Sequence, residues 1–133
     1  MRVSDFRAGE FYLKDFKTML KLKDIGVFVR VGSRYVGYGW LKLKSSKDYY
    51  FTLDEAYLCR FFVHPDFRGM NIYPCSIAYL LDIAKRKGLR KAYISAAPSN
   101  IASLRGMEKM GFEFLKEIKF VRCCKCTLNK YKL

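Results

Sequence analysis

The sequence predicts a mixed α/β fold: one sheet in which antiparallel N-terminal strands lead into a central parallel pair, with helices on both faces. Three observations predict it. Residues 57–63, an apolar and aromatic run stopped by His64-Pro65, read as a buried strand, and a basic, glycine-containing turn and a helix follow. A second short apolar run, 91–96, comes after that helix, and strand–helix–strand implies a parallel pair with a right-handed crossover. Upstream, two strand-like runs flank Gly32-Ser33, a tight-hairpin signal that supplies the antiparallel part.

Taken in order, residues 1–9 are polar and aperiodic, a short first strand or an extended arm. Leu13, Phe16, Met19 and Leu20, with lysines between, follow helical spacing, which predicts a helix over 10–23 ended by Asp24-Ile25-Gly26. Strands are predicted at 27–31 and 35–43; Gly37 and Gly39 in the second suggest a bulge or a close neighbour. Residues 44–48 are a polar loop, and 49–53 read as loop or strand extension. The central helix is predicted over 73–87, since Pro74 suits a first turn. Ile77, Leu80, Leu81 and Ala84 form its stripe, and Gly88 stops it. A helix over 101–110 is capped by Ser99 or Asn100 and ended by Gly111. Runs 112–118 and 120–128 predict two closing antiparallel strands. With no repeat and no linker, residues 1–133 read as a single domain.

A hydrophobic content of 51% with 17% aromatics excludes a disordered chain. No apolar run approaches the ~18–20 residues needed to span a bilayer, and the N-terminus has no signal-like apolar core, so a soluble cytoplasmic protein without a membrane role is expected. The five cysteines, an odd number with two adjacent, make a poor disulfide framework. Cys59 and Cys75 read as small buried hydrophobes. The C-C-K-C at 123–126 lacks a second ligand pair, and His64 is the only histidine, so no metal site is expected. The net charge of +14 would attract phosphates, nucleic acid or acidic surfaces, but the lysines are scattered rather than gathered in one block.

The turn after the 57–63 strand presents consecutive backbone N–H groups at the positive end of a helix dipole, a site for a phosphate or pyrophosphate, with Arg68 as a charged donor at its edge. This stretch, H-P-D-F-R-G-M-N-I-Y over 64–73, resembles the cofactor motif of the GNAT superfamily of N-acetyltransferases, Arg/Gln-x-x-Gly-x-Gly/Ala after V-x-P-x-x. The stretch N-I-A-S-L-R-G-M-E-K-M-G-F over 100–112 resembles that family's later motif: Asn, a small residue three on, then E-K-x-G-F. Both stand in the family's order, and the resemblance spans about 57–121.

The resemblance implies acetyl-CoA as co-substrate, no metal, and transfer of an acetyl group to a primary amine by direct attack. It implies that Arg68, Gly69, Met70, Asn71, Ile72 and Tyr73 cradle the pyrophosphate. It also implies that Phe61, Phe62 and Val63 offer backbone groups to the pantetheine arm, and that Asn100 and Ser103 meet the cofactor. Asn71 and Tyr73 replace small residues of the family pattern; asparagine tolerates the left-handed region better than most. Met107 stands where many relatives carry a tyrosine acid, and a thioether cannot donate. Glu55 is the candidate base, with Asp54 behind it, and Tyr57 and Tyr93 are candidate donors near the thioester. His64 reads as a strand terminus, and Cys59 has no His or Asp placed by sequence to activate it. Only about 25 residues precede the first hairpin, where the family has a strand and two helices, so an abbreviated acceptor wall is expected. That leaves the acceptor open, with the basic surface favouring an anionic one. Dimers are common in the family, and a partner could complete the wall in a homodimer.

Two other function classes were weighed. One is a catalytically weak CoA-binding or interaction module on the same fold. The other is a basic nucleic-acid-binding domain, with Tyr38, Tyr49 and Tyr50 to stack on bases; nothing resembles a base-reading motif, which argues against it.

Overall fold

The computed structural model describes residues 10–43, 52–116, 118–123 and 126–131, and the side chains of 16–43 and 52–116. Along the chain run α1 (Glu10–Lys21), β1 (Ile25–Val31), β2 (Arg34–Lys42), β3 (Glu55–Val63), a 3₁₀ turn (Pro65–Phe67), α2 (Ile72–Arg86), β4 (Lys91–Ile94), α3 (Ile101–Lys109), β5 (Ile118–Cys123) and β6 (Cys126–Tyr131). Strands β1–β4 form one sheet in sequence order, the first three antiparallel and β3–β4 parallel, while β5 and β6 pair as a two-stranded sheet. The mixed sheet with a central parallel pair is therefore the architecture the sequence predicts. Residues 1–9 and 44–51 lie outside the described residues, as does the expectation of an N-terminal strand.

The sheet is covered on both faces. α2 lays Ile77, Leu80 and Ala84 on Leu41, Ala56 and Leu58, an aliphatic layer supplied by spacings of three and four along the helix. α1 sets Phe16 and Met19 on Tyr38, Trp40 and Cys59 on the opposite face. The Phe16 ring meets Tyr38 edge-on at 4.9 Å and lies tilted on Trp40 at 5.3 Å. Leu20, which the periodicity places on the same stripe, is instead exposed, while Phe16 and Met19 face the sheet. α1 ends at Lys21, two residues before the predicted stop; Lys23 takes a left-handed φ of 62° and turns the chain into β1. At that corner the enclosed Asp24 carboxylate receives Lys42 Nζ and the Leu43 N–H, each at 3.2 Å, which pins the start of β1 to the end of β2.

β3 carries a bulge. Arg60 has φ 57°, and the β2–β3 register shifts between Tyr38↔Phe62 and Trp40↔Cys59. Ala56 and Leu58 face α2, and Tyr57 and Cys59 face α1; the extra residue then restores Phe61 to the α2 layer and Phe62 to the α1 layer. Gly39 makes room for this. A Cβ there would stand 2.3 Å from the Phe61 ring, which accounts for the close neighbour that its glycine implied.

The C-terminal reading needs correction. Residues 112–116 carry no regular structure and expose Phe114 and Leu115, so of the strand predicted over 112–118 only Ile118 lies in a strand among the described residues. The two strands fall later, as β5 and β6. Gly111, at φ 82°, ends α3 and leaves 112–116 as the connection, although their apolar content imitates a strand. Cys75 is likewise exposed rather than buried, because the inward stripe of α2 passes through Ser76 and Ile77. Tyr38 is buried, stacked on Phe62 at 5.5 Å, and is closed to any base.

Candidate active site

The site is built along β3, from the turn at its C-terminal end back to the point where β4 leaves it. At the C-terminal end His64 N–H bonds Val36 O at 2.7 Å, and Pro65 opens the 3₁₀ turn. Arg34 Nη2 reaches His64 Nε2 at 2.8 Å and its guanidinium lies 5.6 Å from the centre of the Phe67 ring. The only histidine is thus a brace for the turn, in keeping with its reading as a strand terminus.

Arg68 follows, its Nε 3.4 Å from Val63 O. Gly69 and Asn71 both hold positive φ, 79° and 58°, on either side of Met70. This alternation directs successive N–H groups towards one side, where the first turn of α2 adds donors with no partner inside the helix. A Cβ on Gly69 would meet nothing within 4 Å, so the concave side of the turn is open. Asn71 does not cap α2 with its side chain; its Oδ1 accepts from Lys109 Nζ of α3 at 2.9 Å. Two cations, Arg68 and Lys109, therefore rim the turn. Gly37 of β2 lets it sit close to the sheet, since a Cβ there would press Phe62 O at 3.0 Å and Ile72 Cγ2 at 3.2 Å.

Tyr73 is turned away from this rim. Its ring packs edge-on against Phe61 at 5.1 Å and lies over Gly106 of α3, where a Cβ would stand 2.7 Å from the ring. Burial raises the Tyr73 phenol pKa, and a hydrogen bond with Ser103 works the other way. Ser103 is thus occupied by Tyr73 through its side chain, and its N–H goes to Asn100 Oδ1 at 3.2 Å, which caps α3. Met107 is buried in the same helix.

Further back, Phe61, Phe62 and Val63 belong to the part of β3 that runs along β2 beyond the end of the β3–β4 ladder. The β3–β4 ladder ends at Leu58↔Ile94, and the strands separate beyond it. Their side chains are core: Phe61 under α2 and Phe62 under α1. At the fork Tyr57 Oη donates to Ser95 Oγ at 2.5 Å. Burial holds the Tyr57 phenol pKa above its ordinary value. Behind the fork, Tyr93 Oη donates to Glu55 Oε1 at 3.0 Å, and the Thr52 N–H bonds Glu55 Oε2 at 3.0 Å. The Thr52 backbone bond lowers the Glu55 pKa, helped by Tyr93 and by Lys91, whose Nζ stands 3.9 Å away. Tyr93 shifts upward through burial and through this same carboxylate. Asp54 is held by Thr52 Oγ1 at 2.6 Å.

Glu55, Tyr57 and Tyr93 therefore share one sheet face, as expected of candidates for a common site. Glu55 stands three residues behind the last β3–β4 pair, roughly 10 Å at ~3.3 Å per residue. The cradle residues come together at the other end of β3, about 26 Å from Glu55 by the same rise. Sequence reasoning missed Lys109, Ser95 and Gly106. Ser95 left a signal, being polar at a two-residue spacing from Tyr93 and so on its face. Lys109 and Gly106 left none, because only the packing of α3 on the turn brings them there. Among the described residues no group of three or more His, Cys, Asp or Glu could hold a metal, and no helix is long and apolar enough to cross a membrane.

A model of the acetyltransferase (GNAT) family matches residues 3–112. No curated protein matches the chain in sequence. Among solved structures, the chain is similar to AAC(6')-Iy in complex with the bisubstrate analog CoA-S-monomethyl-acetylneamine, at 20% identity and TM-score 0.74, over 90% of this chain and 82% of that one. It is similar to the aminoglycoside 6'-N-acetyltransferase AAC(6')-IG from Acinetobacter haemolyticus, at 15% identity and TM-score 0.71, over 89% and 83%. A ribosomal-protein-alanine N-acetyltransferase from Brucella melitensis aligns at 17% identity and TM-score 0.64, over 78% and 62%. At these identities the likeness is one of fold.

Proposed function

The chain belongs to the GNAT family of acetyltransferases, and on that premise we propose that it transfers the acetyl group of acetyl-CoA to a primary amine by direct attack. The observation that carries this reading is the turn 68–73. Alternating positive φ, a helix N-terminus, an open concave side and the cations Arg68 and Lys109 suit a pyrophosphate. The rotation of Tyr73 onto Gly106 supports the fit, since its bulk leaves the rim clear.

In this reading Arg68, Gly69, Met70, Asn71, Ile72 and Tyr73 form the cradle, the last through its backbone. Phe61, Phe62 and Val63 lend backbone groups beyond the end of the β3–β4 ladder, and Asn100 and Ser103 border the cofactor from α3. Acetyl-CoA supplies the activated acyl group; the protein binds, orients and stabilises charge. Tyr57 and Tyr93 remain neutral donors at working pH. Glu55, ionised and fixed, draws an ammonium acceptor to this face and, standing roughly 10 Å behind the end of the β3–β4 ladder, receives its proton by way of solvent. The lowered pKa makes it a weak base, so its loss costs less than loss of the cradle. The +14 charge favours an acceptor that is itself part of an anionic molecule or surface. Met107, apolar and buried where many relatives have a donor, favours a second reading, a CoA-binding module with weak catalysis.

Calorimetric titration of acetyl-CoA into the wild type and Arg68→Glu tests the cradle. Micromolar binding by the wild type and its loss in the variant are expected, and a wild type that binds nothing at moderate salt refutes the proposal. Thiol release across a panel of amines then separates the enzyme from the binding module.

A further inference from the structure

We propose that the Ser95 hydroxyl, backed by Tyr57, donates a hydrogen bond to the thioester carbonyl of the acyl donor and stabilises the negative charge that builds there. This rests on the reading above, that acetyl-CoA runs from the turn along β3 beyond the end of its ladder with β4. The β3–β4 ladder stops at Leu58↔Ile94, and Ser95 is the next residue of the β4 segment, at the mouth of the fork. From Val63 at the turn back to Cys59 at the fork is four residues, one of them the bulge at Arg60, so the span matches three residues of β2, roughly 10 Å at ~3.3 Å per residue. A pantetheine arm starting from a pyrophosphate in the turn is long enough to cover that span and bring its thioester end beside Ser95.

The pair is arranged for donation. Tyr57 Oη gives its proton to Ser95 Oγ at 2.5 Å. A hydroxyl that accepts from a phenol keeps its own proton to give and is polarised towards giving it. Ser95 is exposed while Tyr57 is half-buried, so the phenol anchors the pair from within and the serine presents its outer end. Neither hydroxyl titrates near neutral pH, which suits a fixed donor to a developing oxyanion and not a proton relay. Met107, buried in α3, supplies no alternative donor. The step balances without a proton from either residue. The amine nitrogen bonds the acyl carbon, the C–S bond breaks, sulfur leaves as thiolate, and the amine proton passes to solvent, Glu55 lying roughly 10 Å behind the end of the ladder.

The test reads the carbonyl directly and needs no knowledge of the acceptor. Acetyl-CoA labelled with ¹³C at the thioester carbonyl is bound to the full chain, and its stretching band is recorded by isotope-edited infrared difference. Wild type is expected to shift the band to lower frequency. Ser95→Ala should lose part of that shift with acetyl-CoA affinity and melting temperature unchanged, Ser95→Thr should restore it, and Tyr57→Phe should give an intermediate band. With any amine that supports turnover, Ser95→Ala should lower kcat by about tenfold to a hundredfold at unchanged KM for acetyl-CoA. Tyr57→Phe added to Ser95→Ala should cost nothing more. A band identical in wild type and Ser95→Ala overturns the inference and leaves the cradle standing. A wild type that does not bind acetyl-CoA refutes the functional reading itself, and the inference falls with it.

Discussion

The two faces of the sheet are made of different matter. Under α2 the fully buried layer is aliphatic: Leu41, Ala56 and Leu58 from the strands meet Ile77, Leu80 and Ala84 from the helix, and the aromatic Phe61, Tyr73 and Phe112 stand only at its half-buried margin. Under α1 it is aromatic: Phe16, Phe28, Tyr35, Tyr38, Trp40, Tyr57 and Phe62, with Met19 and Cys59 between them. Aliphatic side chains carry no polar atom and interlock closely, so the α2 face works as a mount. It fixes the helix whose N-terminus forms the turn. Aromatic rings with hydroxyl or N–H ends bring polar atoms to the edge of their layer, and the α1 face is where Tyr57, Ser95, Tyr93 and Glu55 meet solvent. One face holds the anion-binding turn in place, and the other offers chemistry to whatever approaches it.

Five substitutions break or sharpen that contrast. Leu80→Ala removes the centre of the aliphatic layer and should cost about 2–5 kcal/mol by urea unfolding, with acetyl-CoA binding weakened as α2 loosens. Gly39→Ala drives a methyl to 2.3 Å from the Phe61 ring, which Tyr73 already confines, and should cost about 1–3 kcal/mol. Gly26→Ala meets Trp40 less closely, at 2.9 Å, and should cost less than Gly39→Ala in the same assay. Glu55→Gln tests the polar edge of the aromatic face through pH. The folded-state pKa of Glu55 is lowered, so its contribution to stability is full above the ordinary carboxylate value of 4.5 and is lost as pH falls through the folded value. Thermal unfolding should therefore show the variant below wild type at pH 7, with the two converging in more acidic buffer. Trp40→Phe should have the smallest effect, about 1 kcal/mol or less. It loses packing, yet it also removes an indole N–H that has no hydrogen-bond partner among the described residues.

The mount is largely legible in the sequence. Pro65, Gly69, Pro74 and the 77–80–84 spacing act within a few residues of one another, and short-range sterics and periodicity are what a sequence displays. The chemistry-bearing face was legible only in its residue types. Glu55 and Tyr93 are 38 positions apart and meet through strand register, which a one-dimensional reading does not contain. The direction of Tyr73 was hidden for a related reason: it is set by the notch at Gly106, on another helix. The C-terminal strands fall later than their apolar run suggests: Phe112 and Phe114 alternate with Glu113 and Leu115 extends the run, yet the segment serves as a connection, with Phe114 and Leu115 exposed. Periodicity reports what a segment could bury, and not whether a partner surface is there.

The extra residue at Arg60 acts on β3 as a frameshift acts on a reading frame. A strand is read in steps of two, and one inserted residue reassigns every later side chain to the opposite face. Residues 61–63 would stand inverted in a relative that has no bulge. An alignment between such a relative and this chain must therefore open a one-residue gap at position 60. Without it, Phe61 would be matched to a residue of the wrong layer, and the stretch that borders the proposed cofactor path would look divergent where it is merely out of phase.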